Sequence, residues 1–198
     1  MREFWDTRYN GDFYLFGTEP NAFLASQKAL FEPGQHVLAV ADGEGRNGVW
    51  LASQGLDVLS VDFSGVAQEK ARKLAGGLPV RFEIADLSAW DWGVERFDAI
   101  VAIFIQFTGP QARKKMFEDM KAALKSGGLL ILEGYTPRQL EYKTGGPSQI
   151  ENLYTEELLR EAFSDFDILH LEAFDAVVEE GAGHSGRSAL IDLVARKR

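Results

Sequence analysis

The chain has 198 residues, of which 45% are hydrophobic and 26% charged, which predicts one globular domain with its own core rather than a disordered chain. Its 21 Lys and Arg against 30 Asp and Glu give a formal charge of −9, which disfavours nucleic acid as a partner because phosphate binding relies on Lys and Arg. The absence of cysteine excludes a disulfide framework, thiolate metal sites and a cysteine nucleophile, and fits a reducing compartment.

The amino terminus, Met1-Arg2-Glu3-Phe4-Trp5-Asp6, carries charge where a secretory leader needs an apolar stretch. The longest apolar run, residues 99–107, is broken by Gln106 and is far short of the ~20 residues that span a bilayer. The expectation is a cytoplasmic protein without a membrane partner; oligomeric state cannot be read. An aromatic segment, residues 5–17, precedes a helix opened by Pro20 over residues 21–31. Residues 36–41 predict a buried strand and residues 45–54 a helix, with Val49, Trp50 and Ala52 apolar. Asp57–Asp62 predicts a second strand, and Ser64 is the N-cap of a helix over Gly65–Ala75. Residues 79–84 and 97–105 predict two more strands, the latter apolar on both faces like a central parallel strand. A helix over residues 110–124, with Met116, Met120 and Leu124 at helical spacing, ends at Gly127-Gly128, and residues 129–133 form a fifth strand. Residues 134–152 are long, polar and turn-rich, and predict a lid that excludes water from a site. A helix over residues 155–163 is followed by strands at 166–177 and 188–196, a hairpin joined by residues 179–187.

This order predicts an α/β fold: a doubly wound, seven-stranded, mostly parallel sheet with helices on both faces and an antiparallel C-terminal hairpin. Residues 1–198 form one domain, with 1–31 as an N-terminal cap segment and 134–152 as the insertion. Ligands of such sheets bind outside the carboxyl ends of the strands, so the residues just after each strand carry the chemistry.

After the first strand, Gly43 and Gly45 let the backbone approach a ligand, and the following helix presents its N-terminal amides there. Gly43, Gly45 and Gly48 also satisfy the G-x-G-x-x-G spacing, so a dinucleotide site is an alternative. Asp62 ends the second strand, 17 residues beyond Gly45, where a carboxylate can accept both hydroxyls of a ribose. Asp86 follows the third strand and can accept an adenine amino group. A glycine turn followed by two acids on successive strand ends describes a pocket for one adenosine.

With these motifs the sequence resembles the class I S-adenosylmethionine-dependent methyltransferases, and within them the small bacterial branch that includes the tellurite-resistance methyltransferases. The resemblance covers nearly the whole chain. It rests on Trp5-Asp6-Thr7-Arg8-Tyr9, Gly17-Thr18-Glu19-Pro20-Asn21, Gly43-Glu44-Gly45-Arg46-Asn47, Val61-Asp62-Phe63-Ser64, Ala85-Asp86-Leu87 and Leu124-Lys125-Ser126-Gly127-Gly128. It implies a Rossmann-like fold, S-adenosylmethionine as cofactor with S-adenosylhomocysteine as product, no metal, and a small-molecule acceptor. It implies cofactor contacts from Ala41, Asp42, Gly43, Gly45, Arg46 and Asn47, from Asp62, Phe63 and Ser64, from Asp86 and Leu87, and from Phe104. Family members place an acid and a glycine where this chain has Ala39 and Ala41. Arg8 is then expected to hold the methionine carboxylate, with the Trp5 indole N–H beside it.

Three residues are catalytic candidates. His184, in a glycine-rich stretch, is placed by the hairpin near the carboxyl end of the strands as a general base, with Arg187 as an anion ligand. Gln106, an amide in an apolar run, needs a partner. Tyr135 opens the insertion over the same end of the sheet. Two competing functions remain: an NAD-dependent oxidoreductase, suggested by the glycine spacing, and a non-catalytic S-adenosylmethionine-binding protein, suggested by Ala39 and Ala41.

Overall fold

A computed structural model describes residues 2–198. The chain opens with helix α1 (Arg2–Tyr9) and the short helix α2 (Ala22–Ser26), followed by a 3₁₀ turn at Lys28–Leu30. Then come β1 (His36–Val40), α3 (Arg46–Ser53), β2 (Asp57–Asp62), α4 (Gly65–Ala75), β3 (Val80–Ile84), β4 (Phe97–Ile103), α5 (Pro110–Ala123) and β5 (Leu124–Tyr135). Helices α6 (Gln139–Tyr142) and α7 (Glu156–Ala162) precede the long strands β6 (Phe166–Glu180) and β7 (His184–Lys197).

One seven-stranded sheet has the order β3-β2-β1-β4-β5-β7-β6. β7 runs antiparallel to both of its neighbours, and the pairs among β1 to β5 are parallel. Both faces are covered, so alternate residues of one strand enter different cores. Leu38 and Val40 pack with Ile100, Leu130 and Met120, while Val37 and Ala39 pack with Val101, Ile131 and Leu51 on the other side. This is why the central strands are apolar at nearly every position.

The predicted elements hold, with two shifts in position. Leu124 begins β5 directly, paired with Phe97 across an irregularity, so Gly127-Gly128 lie inside that strand and do not end α5. The hairpin is longer than expected. β6 and β7 pair without interruption from Ala173↔Ile191 to Glu180↔His184, so the stretch 179–187 is mostly strand, and only residues 181–183 turn. β5 stops pairing at Tyr135↔Leu190. The six residues His184 to Ala189 therefore project with β6 beyond the carboxyl end of the sheet.

The N-terminal segment closes around that overhang. Gly183 N–H donates to Leu15 O at 2.9 Å. Gly181 has φ +67 and lies so close to residues 15–17 that a Cβ there would sit 2.5 Å from Gly17 N. Lys70 holds the same segment from below, donating to the carbonyls of Tyr9, Gly11 and Phe13 at 3.2, 3.1 and 2.6 Å and pairing with buried Glu44.

Candidate active site

The strand order reverses between β1 and β4, where the chain returns from β3 to the opposite side of β1. Such a switch point leaves a crevice at the carboxyl ends of the strands. A cavity of about 330 Å³ occupies it. Its floor is the turn after β1, residues 41–47, and the β4 tip at Ile103 and Phe104. Its walls carry Asp62, Phe63, Asp86 and Leu87 from the β2 and β3 tips and Trp5, Tyr9, Phe16 and His184 from the N-terminal segment and the hairpin.

The floor is held by hydrogen bonds that the local sequence supplies. Asp62 Oδ2 accepts from Gly43 N–H at 2.9 Å and its Oδ1 from Ser64 N–H at 2.8 Å, so one carboxylate orders the turns after β1 and β2. Burial raises its pKa against the pull of those N–H groups. Gly45 has φ +84, and a Cβ there would lie 2.6 Å from Ala71 Cβ, so α3 and α4 can approach only past a glycine. Ser64 Oγ caps α4 by accepting from Ala67 N–H at 3.1 Å, and it also donates to Asp6 of α1. Asp42 is partly buried at the cavity; it accepts from Ser60 Oγ at 2.7 Å and from Gly48 N–H at 3.2 Å. Burial lifts its pKa to about 7, although both bonds oppose the rise.

Ala41 and Phe104 both adopt left-handed backbone, with φ +49 and +55, at the two strand tips that face each other. Backbone strain of this kind is concentrated at functional sites.

Residues 37–128 match the family model for a methyltransferase domain. A demethylmenaquinone methyltransferase of Renibacterium salmoninarum is 32% identical over 129 residues, 65% of this chain and 50% of that protein. A glycine/sarcosine N-methyltransferase of Aphanothece halophytica is 30% identical over 170 residues, 74% of this chain and 63% of that protein. The chain carries a methyltransferase domain. It spans about half the length of the demethylmenaquinone methyltransferases it matches. Two solved structures share the fold. One, reported for the conversion of a disulfide bond into a thioacetal group during echinomycin biosynthesis, has TM-score 0.79 at 18% identity and covers 100% of this chain and 92% of that one. TehB of Haemophilus influenzae has TM-score 0.73 at 18% identity and covers 100% of this chain and 67% of that one.

The expected cofactor residues divide. Trp5, Ala41, Asp42, Gly43, Arg46, Asn47, Asp62, Phe63, Asp86, Leu87 and Phe104 line the cavity. Gly45 and Ser64 stand behind it, shaping helix starts. Arg8 is exposed at the rim, its guanidinium 5.0 Å from the Trp5 ring centroid, and does not line the cavity. Asp86 accepts from Ser88 N–H and Oγ, bonds that lower its pKa. The third glycine of the dinucleotide pattern, Gly48, donates its N–H to Asp42 inside α3 and does not border the cavity.

The catalytic candidates also divide. Gln106 is consumed by main chain. Its Nε2 donates to Tyr135 O at 2.9 Å and Asn152 O at 3.1 Å, and its Oε1 accepts from Tyr135 N–H at 2.6 Å. An amide with three of its four hydrogen-bonding valences spent on main chain is a clamp, and it does not line the cavity. Tyr135 stacks on Phe104 with ring centroids 4.7 Å apart, and its buried hydroxyl lies outside the cavity. The 134–152 insertion contributes nothing to the cavity lining. It is bound to the hairpin through Gln139 Oε1 accepting from Ala189 N–H at 2.8 Å and Thr144 Oγ1 donating to Arg187 O at 2.6 Å. Arg187 is exposed there, 4.9 Å from the Tyr142 ring and 3.4 Å from Asp175. Tyr14 donates its hydroxyl to Lys70 O and does not line the cavity.

His184 does line the cavity, because the hairpin overhangs it. Its ring lies 4.4 Å from both Phe16 and Phe104. Behind it is a network that sequence reasoning missed. Glu180 Oε2 binds Arg46 at 2.6 Å and lies 3.8 Å from His184 Nδ1. Its Oε1 accepts from Asn21 Nδ2 at 3.0 Å and Ala22 N–H at 3.2 Å, and Asn21 Nδ2 also donates to Glu133 at 2.5 Å. Burial works against ionisation of Glu180, but His184 and Arg46 outweigh it and bring its pKa to about 2. Glu133 lacks such a cation. Burial, then Asp192 across the strand pair and Glu180, push it to about 8. Burial lowers the His184 pKa, with Arg46 and Arg8 adding to the fall and Glu180 opposing it. The spacing of Glu180 and His184, four residues across a tight turn, was the available signal. Trp5 and Tyr9, four apart on one helix and stacked at 5.6 Å, were another.

Proposed function

We propose that the protein transfers a methyl group from S-adenosylmethionine to a small-molecule acceptor. The observation that carries this reading is the convergence of three successive strand tips, at Gly43, Asp62 and Asp86, on one cavity at the switch point. The residues fit the cofactor. Asp62 borders the cavity with lone pairs left over from its two N–H partners, as a ribose diol requires. Thr108 Oγ1 is buried on the cavity wall without a partner. Phe63 and Leu87 supply apolar surface for a base.

When bound, S-adenosylmethionine supplies a methyl group made electrophilic by positive sulfur. The chain then has to orient the acceptor and keep water out. Aromatic faces at Trp5, Phe16 and Phe104 suit both tasks, and a ring facing a sulfonium attracts it. Trp5 and Arg46, with Arg8 at the rim, are the groups at hand for the amino-acid end. His184 is the candidate base for an acceptor that carries a proton.

The test is calorimetric titration with S-adenosylhomocysteine. Binding is expected in the wild type, with at least a tenfold loss in Asp62→Ala, since charge-assisted hydrogen bonds to a ligand are worth about 1.5–3 kcal/mol. No heat at millimolar ligand rejects the reading.

A further inference from the structure

We propose that the acceptor is an uncharged thiol on a small apolar frame, and that His184, positioned by Glu180, takes its proton. The inference rests on the methyltransferase reading above and concerns the part of the cavity around His184. There Phe16 and Phe104 pack against His184, and Tyr9 and Trp5 continue the aromatic wall from Phe16. The lining cation there, Arg46, is neutralised by Glu180 at 2.6 Å. The other lining cation, Lys115, pairs with Asp119 on α5 at 2.5 Å. Gly43 N–H is already given to Asp62. An oxyanion acceptor would find enclosed aromatic faces and buried carboxylates, and neither stabilises negative charge. Sulfur, soft and polarisable, packs well on aromatic rings.

His184 is set up to accept a proton on the cavity side. Its Nδ1 is the enclosed nitrogen, just beyond hydrogen-bond length from Glu180 Oε2. A carboxylate there favours the tautomer with hydrogen on Nδ1, which leaves the Nε2 lone pair for the acceptor. The charged and titratable groups around the ring are Glu180 on its own hairpin, Arg46 on α3, Arg8 on α1 and Tyr135 on β5. An imidazole whose pKa burial lowers lies nearer to a thiol, near 8.5, than to an ammonium or a phenol, near 10. In the step, the S–H proton passes to Nε2, the thiol sulfur forms a bond to the methyl carbon, and the carbon–sulfonium bond breaks with its electron pair on the departing sulfur. The products are a methyl thioether, S-adenosylhomocysteine and imidazolium, which returns its proton to water.

The experiment compares phenylmethanethiol, phenylmethanamine, phenol and selenite as acceptors of labelled methyl, after S-adenosylhomocysteine binding has been verified by calorimetry. The expected result is labelled thioether from phenylmethanethiol, at least about tenfold faster than from the other three, and a drop of ~100-fold in kcat in His184→Gln with S-adenosylhomocysteine affinity kept. A second readout needs no turnover. Imidazole NMR of the three histidines is expected to show His184 alone shifted by phenylmethanethiol and hydrogen on its Nδ1, a preference weakened in Glu180→Gln. Faster transfer to selenite, phenol or the amine overturns the proposal, as does no thioether from a protein that binds S-adenosylhomocysteine, a full rate in His184→Gln, or no shift at His184. Failure to bind S-adenosylhomocysteine instead overturns the methyltransferase reading, and this inference with it.

Discussion

Asp42 makes the stability of this protein depend on pH in a direction opposite to that of an ion-paired carboxylate. Its carboxyl sits at the β1 turn on the cavity wall, and burial raises its pKa from 3.8 to about 7. When protonated it can donate to Ser60 Oγ while its other oxygen still accepts from Gly48 N–H. Between the two pKa values the folded chain holds a proton that the unfolded chain has lost, so stability falls as pH rises. From pH 5 to pH 8 the expected loss from this group is ~2–3 kcal/mol, using 1.36 kcal/mol per pH unit and the flattening above the folded pKa. Asp42→Asn keeps the shape and cannot ionise. Urea unfolding of wild type and Asp42→Asn at pH 5, 6.5 and 8 measures the difference. The variant should gain ~2–3 kcal/mol relative to wild type between pH 5 and pH 8, whatever its offset at pH 5. Parallel stability curves would refute the assignment, because the remaining raised acids, Asp62, Glu133 and Asp192, are common to both proteins.

Four further outcomes are expected. Gly45→Ala should cost at least ~2–4 kcal/mol in urea unfolding, since the new Cβ meets Ala71 at 2.6 Å in left-handed backbone. Ala41→Gly should be neutral or stabilise by up to ~1 kcal/mol, because φ +49 strains alanine while glycine gives back some of the gain through a freer unfolded chain. Lys70→Met should destabilise by ~3–5 kcal/mol, leaving Glu44 buried without its cation, and limited proteolysis should then cut near residues 10–17 first. Gln106→Leu should lower the melting temperature through two or three orphaned main-chain groups, yet leave S-adenosylhomocysteine affinity by calorimetry within about threefold.

The sequence by itself determined the sheet and which strand tips come together at the cavity. Alternating apolar runs, the Ser64 cap and the acids at Asp62 and Asp86 are short-range signals, and the parallel topology brings successive strand tips together. It misjudged groups whose role depends on distant partners. Nothing local to Gln106 reveals that its amide is spent on Tyr135 and Asn152, and nothing in residues 134–152 shows that they dock on the hairpin. Only the tertiary structure decided what surrounds His184. The register of β6 on β7 carries the hairpin past the end of β5, the N-terminal segment meets its tip, and Asn21, Arg46, Glu133 and Glu180 gather behind one imidazole. Their sequence separations run to more than a hundred residues. Their charges acquire a direction only once burial removes the water that would screen them.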